Sequence, residues 1–136
     1  MKISILGCRH VGNAMAKLLP DAVLYDPNLN LGSQEAVQGS DIAFLCLPDE
    51  AAKESVSLIE NPDVVVFDTS TAHRTDENWT YGFPELGKTL FEKVKTSKRI
   101  AVPGCHASGF IALVYPLIES GILPKGYVVF GFNGIW

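Results

Sequence analysis

Short apolar runs separated by longer amphipathic segments leave this chain few ways to fold. Ile3-Ser4-Ile5-Leu6, Ala22-Val23-Leu24-Tyr25, Ile42-Ala43-Phe44-Leu45-Cys46 and Val64-Val65-Val66-Phe67 are each four or five residues long and are flanked by Gly, Asp or Pro. Runs that are apolar at nearly every position, rather than at alternate ones, read as strands covered on both faces, which is the habit of parallel sheets. Between them lie segments of helical spacing. Val11 to Leu19 follows the first run, and Ala51 to Ile59 follows the third, opened by the acidic turn Pro48-Asp49-Glu50 and stopped before Asn61-Pro62. Ile100-Ala101-Val102 predicts a further strand and Tyr127 to Phe132 one more. Strand alternating with helix gives an α/β, Rossmann-like doubly wound parallel sheet, whose binding crevice lies beyond the carboxyl ends of the strands.

Between Asp68 and Leu86 neither period is sustained, and a long loop is predicted; its Trp79, Tyr81 and Phe83 argue for an ordered, functional one. Leu86 to Lys98 reads as a helix with Lys88, Lys93, Lys95 and Lys98 on a solvated face. Cys105 to Ser120 reads as helical and ends at Gly121, with Pro116 expected to kink or divide it.

Composition narrows the partners. The longest apolar stretch, Phe110 to Ile118, contains Pro116 and is well short of the roughly 18 residues of a membrane span. The apolar run behind Lys2 is too short for a secretory signal, so the cytoplasm is the expected location. A net charge of -4, with no basic run longer than Lys98-Arg99, lacks the footprint of a nucleic-acid binder. Cys8, Cys46 and Cys105 form no Cys-x-x-Cys pair, and Cys8 with His10 is too small a set for a metal, so no metal is expected.

Two places carry chemistry. Gly7-Cys8-Arg9-His10-Val11-Gly12 follows the first strand and opens a helix, and Asp26 ends the second strand nineteen residues after Gly7. That spacing fits a dinucleotide fold, in which glycines let backbone N–H groups reach a pyrophosphate at a helix N-terminus. Arg9 stands where the fingerprint usually has its central glycine, and can supply a charge to the phosphates; a degenerate turn that binds nothing is the alternative. Asp26 would accept hydrogen bonds from a ribose 2'-hydroxyl and repel a 2'-phosphate, which favours NAD; a plain turn at Asp26-Pro27-Asn28 is the structural alternative. The second place is Pro103-Gly104-Cys105-His106-Ala107-Ser108-Gly109. A thiol at the start of a helix is biased toward thiolate, and the N–H groups around it can hold an oxyanion; a small buried hydrophobe is the alternative reading of Cys105. Cys46, in mid-strand, is read as a small buried hydrophobe.

The remaining motifs resemble a known family. Asp41 to Leu47 with Pro48-Asp49, Asp68-Thr69-Ser70-Thr71-Ala72-His73-Arg74, Trp79, Tyr81-Gly82-Phe83-Pro84-Glu85-Leu86, Pro103 to Phe110 and Tyr115-Pro116-Leu117 resemble, in order, the shorter-chain N-acetyl-gamma-glutamyl-phosphate reductases of the semialdehyde dehydrogenase family. The likeness covers residues 41 to 125. It implies an arginine-biosynthesis oxidoreductase that converts N-acetyl-glutamyl 5-phosphate to the semialdehyde with NADPH. Cys105 matches the nucleophile that forms a thioester and expels phosphate. Leu47, Pro48 and Ser70 match positions along the cofactor, joining Gly7, Arg9, His10, Val11, Gly12 and Asp26. Arg74 is the candidate clamp for an anionic group of the substrate, with surface pairing to Asp76 or Glu77 as its alternative, and Gly104 and Ser108 are expected to contact substrate beside Cys105. Residues 1 to 40 resemble instead the first unit of nucleotide-sugar dehydrogenases.

The resemblance implies that residues 1–125 form the dinucleotide-binding domain with the active-site cysteine, and that 126–136 begin a truncated substrate and dimerisation domain. Most of the second domain, with the family's histidine acid-base, is then expected to be lacking, so the chain alone should be poorly active. The partner expected is a small-molecule acyl phosphate, with no nucleic acid and no membrane, and with room for a homo-oligomer. The alternatives are a non-catalytic NAD(P)-binding module that needs a partner chain and a nucleotide-sugar dehydrogenase fragment.

Overall fold

A computed structural model describes residues 1–26 and 33–123. Six strands form one sheet: β1 Ile3–Leu6, β2 Val23–Tyr25, β3 Ile42–Leu45, β4 Val65–Asp68, β5 Thr80–Tyr81 and β6 Arg99–Ala101. Their order is β2-β1-β3-β4-β6-β5, and all five pairings are parallel. The helices are α1 His10–Leu18, α2 Ser33–Gln38, α3 Asp49–Ser57, α4 Lys88–Thr96 and α5 Cys105–Glu119. This is the Rossmann-like sheet the alternation predicts. From β1 the chain steps outward to β2 and then crosses to β3 on the other side. The order therefore reverses between β1 and β3, the place where such sheets open a crevice.

The register explains the core. Leu6, Leu45, Asp68 and Ala101 are matched across β1, β3, β4 and β6 and share one face. On that face Leu6, Ala43, Leu45, Val66 and Ala101 pack with Val37 of α2, Ala52 of α3 and Trp79. Ile5, Phe44, Phe67 and Ile100 take the opposite face, where the Phe44 and Phe67 rings stack with centroids 5.0 Å apart.

Three local expectations are corrected, and one helix is added that was not expected. The stretch 68–86 is not strandless, because β5 lies within it, paired to β6 through Thr80–Ile100 and Tyr81–Ala101. A two-residue strand made by a distant neighbour leaves no period in the sequence. Ser33–Gln38 forms a helix that the apolar pattern does not announce. The helix expected from Leu86 is shorter: a 3-10 turn at Pro84–Leu86 precedes Gly87, whose φ of 149° separates it from α4. α5 runs through Pro116 undivided; the missing N–H lies one turn from the end, and Ser120 N already returns to the Pro116 carbonyl. Gly121, at φ 72°, then closes the helix as predicted.

The chain separates into two compact units, Met1–Pro103 and Gly104–Trp136. The expected strand at Tyr127–Phe132 and the domain start at 126–136 lie outside the described residues. No helix among the described residues is long and apolar enough to cross a membrane.

Candidate functional site

The turn after β1 is shaped by two close backbone approaches. Gly7 has φ 103°, and its N–H donates to the Tyr25 carbonyl at 2.8 Å while Cys46 N–H donates to the Leu6 carbonyl at 2.8 Å. A Cβ on Gly7 would lie 2.3 Å from the Cys46 carbonyl oxygen, and one on Gly12 would lie 1.7 Å from the Gly7 carbonyl oxygen. Only glycines let α1 start this close to β1. The Asn13 side-chain amide closes the turn onto the Cys8 carbonyl.

α1 begins without local help. Arg9 is its N-cap residue, makes no side-chain cap bond, and no acidic residue stands in the first turn. The first N–H groups and the positive end of the dipole therefore face a site suited to an anion. The contrast with α3 is direct, since Asp49 and Glu50 occupy its first turn. Asp49 also accepts from Thr71 N–H at 2.9 Å and from the Thr71 hydroxyl, and these bonds, the hydroxyl first, hold its carboxyl below the usual range.

Gly7, Cys8, Arg9, Asp26, Cys46, Leu47, Pro48 and Ala51 line a cleft of about 310 Å³ at the carboxyl ends of β1, β2 and β3. Arg9, His10, Val11, Cys46, Leu47, Pro48 and Thr69 line its continuation toward β4, about 410 Å³. The structure thus gathers Gly7, Arg9, His10, Val11, Asp26, Leu47 and Pro48 at one crevice, with Gly12 behind it. These residues fit a dinucleotide: an uncapped helix start for the pyrophosphate, a basic side chain, and an acid at the end of β2.

Cys46 and Ser70 differ from expectation, and Cys8 and Thr69 join the cleft. Cys46 follows β3 instead of lying within it, is half-buried, and borders the cleft; burial, before any other cause, pushes its thiol up. Cys8 also borders the cleft, and its Sγ donates to Asp26 Oδ2 at 3.0 Å; that acceptor is the main reason its thiol is pushed up. Thr69 lines the continuation, whereas Ser70 is buried with its hydroxyl donated to Asp68 Oδ2 at 2.7 Å.

Asp68 organises the loop that follows β4. Fully buried, it accepts from Ser70 N–H at 2.9 Å and lies 2.6 Å from His73 Nδ1. The His73 ring stacks on Trp79 with centroids 4.1 Å apart. Within this loop Arg74 donates from Nε to the Val102 carbonyl at 3.1 Å and from Nη2 to the Thr69 carbonyl at 3.4 Å. It therefore ties the ends of β4 and β6 together and is not the surface partner of Asp76 or Glu77. Two of its five N–H donors are engaged in this way.

In the second unit Cys105 is the first residue of α5, and Gly104 is its N-cap in an extended conformation. Ser108 donates to the Gly104 carbonyl from both N–H, at 2.9 Å, and hydroxyl, at 2.8 Å. Among the described residues no three His, Cys, Asp or Glu side chains gather as a metal site.

Residues 3–94 match the family model for the NAD-binding domain of semialdehyde dehydrogenase. The chain is 46% identical over 121 residues to N-acetyl-gamma-glutamyl-phosphate reductase 2 of Pseudomonas putida, an alignment covering 85% of this chain and 38% of that protein. It is 52% identical over 101 residues to N-acetyl-gamma-glutamyl-phosphate reductase of Mesorhizobium japonicum, covering 74% of this chain and 32% of the relative. The chain thus spans about a third of the length of these curated relatives. Among solved structures, aspartate semialdehyde dehydrogenase from Francisella tularensis superposes with a TM-score of 0.66 at 15% identity, covering 89% of this chain and 41% of that one. That likeness speaks to the fold.

Proposed function

Since the chain belongs to the semialdehyde dehydrogenase family through its NAD-binding domain, we propose that it is the dinucleotide-binding part of an N-acetyl-gamma-glutamyl-phosphate reductase, with residues 1–125 forming that part. The observation that supports the reading best is the pairing of two features in one chain. One is a phosphate turn that only Gly7 and Gly12 allow; the other is a cysteine that begins a helix inside the family's Pro-Gly-Cys-His-Ala-Ser-Gly motif. The curated relatives named above carry the same name.

In this reading each residue has a definite task. The open start of α1 and Arg9 would hold the pyrophosphate, and Leu47, Pro48 and Thr69, which line the same crevice, would face the rest of the dinucleotide. When bound, a reduced nicotinamide dinucleotide supplies the hydride; the family resemblance implies NADPH. The Cys105 thiolate attacks the acyl carbon of the acyl phosphate, the C–O bond to phosphate breaks, and inorganic phosphate leaves. Accepting that hydride, the thioester held by Cys105 would break its C–S bond and release semialdehyde and thiolate. N–H groups of the first turn of α5 stabilise the oxyanion at each addition. By the same family resemblance, Arg74, Gly104 and Ser108 would contact the substrate.

The test is phosphate-dependent oxidation of N-acetyl-glutamate 5-semialdehyde, followed by nicotinamide absorbance, together with dinucleotide titration by fluorescence. Wild type and Cys105→Ser should bind dinucleotide alike, and only wild type should oxidise the aldehyde. A Cys105→Ser variant that turns over as fast as wild type overturns the assignment.

A further inference from the structure

The phosphate turn borders a second space besides the crevice that runs past Leu47 and Pro48 toward Thr69. Along the flank of α1 lies a groove of about 930 Å³ whose polar border is Cys8, Arg9, His10, Asn13 and Lys17. His10, Asn13 and Lys17 stand at i, i+3 and i+7 of the helix, so they share one face. Cys8 and Arg9 border the groove and the crevice alike, which joins the two at the turn. Resting on the dinucleotide reading above, we propose that this groove takes the 2'-phosphate of NADPH, and that Lys17, two turns into α1, is the residue by which the chain distinguishes NADPH from NADH.

Charge along the groove has one sign. Arg9 and Lys17 are exposed cations, the His10 imidazole adds N–H capacity, and no acidic side chain lines the space. None of the ion pairs among the described residues engages Arg9 or Lys17. A phosphate monoester brings roughly -1.5 to -2 charge, and the compact ammonium of a lysine on its flexible stem meets it as a point charge. In a dinucleotide fold the adenosine ribose lies at the end of the second strand. Leu6 is in register with Tyr25, so a group carried on the 2'-oxygen emerges beside the turn where Cys8 and Arg9 stand. Asp26 borders the adjoining cleft instead, where its Oδ2 accepts from Cys8 Sγ at 3.0 Å, and the two cations of the groove outweigh that one carboxylate. Arg9 and His10 also border the crevice, so they serve either nucleotide, whereas Lys17 borders the groove alone. Lys17 has a structural role open to it as well, since it is the basic residue in the last turn of α1 and complements the helix dipole there.

The experiment titrates the full chain with NADPH and with NADH by nicotinamide fluorescence, in wild type, Lys17→Gln, Lys17→Glu and Lys17→Arg. Wild type should bind NADPH more tightly. Lys17→Gln should weaken NADPH by about fivefold or more, as expected of one unit charge lost a few Å from the phosphate even near the bulk-water limit, and should leave NADH unchanged. Lys17→Glu should turn the preference toward NADH, and Lys17→Arg should keep that of wild type. A purely structural role would lower the thermal unfolding midpoint of Lys17→Gln and leave the ratio of the two affinities as in wild type, which overturns the proposal. Equal binding of NADPH and NADH to wild type also overturns it, and both results leave the dinucleotide reading intact. Failure of wild type to bind either nucleotide removes that reading and the proposal together.

Discussion

Replacing Asp68 with alanine tests whether one buried carboxylate holds the loop that carries Arg74. Asp68 is 0% exposed and receives three hydrogen bonds, from Ser70 N–H at 2.9 Å, the Ser70 hydroxyl at 2.7 Å and His73 Nδ1 at 2.6 Å. Bonds to a charged group contribute about 1.5–3 kcal/mol each, which for three would give roughly 4–9 kcal/mol. The variant also escapes the desolvation of a buried carboxylate, so the net loss should resemble that of breaking a buried polar pair, about 3–5 kcal/mol. That is a large fraction of the ~5–15 kcal/mol of a whole domain. His73→Phe leaves the carboxylate with Ser70 alone and should cost nearly as much. The double variant should lose about 1–3 kcal/mol less than the sum, since both changes remove the same bond. Urea unfolding followed by circular dichroism measures all three. A loss under about 1 kcal/mol for Asp68→Ala, or strict additivity with His73→Phe, would refute the role given to this cluster.

Three further outcomes follow from the same geometry. Gly12→Ala would set a methyl 1.7 Å from the Gly7 carbonyl, so α1 must shift; dinucleotide binding, measured by fluorescence titration, should be lost, and retention at wild-type affinity counts against the turn as the pyrophosphate site. The Tyr81 hydroxyl is the one buried side-chain polar atom without a partner among the described residues, so Tyr81→Phe should be neutral or stabilising by up to about 1–3 kcal/mol in thermal unfolding; a clear loss would mean the hydroxyl has a partner. Asp49 has its folded pKa depressed by Thr71, so its contribution is present above the unfolded value of about 3.9 and lost as pH falls through the lower, folded value; the gap in urea midpoint between wild type and Asp49→Asn should close on acidification, and a gap constant with pH would contradict this.

What the sequence revealed divides by range. β1, β3, β4 and α3 are legible because apolar runs and an acidic first turn are local signals, and the phosphate turn is legible because Gly7, Gly12 and Asp26 keep a spacing set by one strand-helix-strand unit. β5 is not, since Thr80-Tyr81 is a strand only by virtue of β6. Cys46 is misplaced by a single residue: one step past the end of β3 turns a core position into a wall of the cleft. The Asp68–Ser70–His73 cluster and its Trp79 neighbour depend on how the loop folds back, which no period encodes. Cys8 meeting Asp26 was within reach, because adjacent parallel strands ending at Leu6 and Tyr25 bring their following residues together.

The closeness of Gly7 to the Cys46 carbonyl has a consequence for how the protein comes into being. The two walls of the crevice belong to strands whose matched residues, such as Ile3 and Ile42, are far apart in the chain, and every neighbouring pair in this sheet needs a crossover. Such pairings form late and slowly. The glycine turn has nothing to lean on until β3 has paired with β1. Dinucleotide can therefore act only as a latch on an already assembled sheet, raising its resistance to unfolding in proportion to RT ln(1 + [L]/Kd) and leaving the speed of assembly untouched.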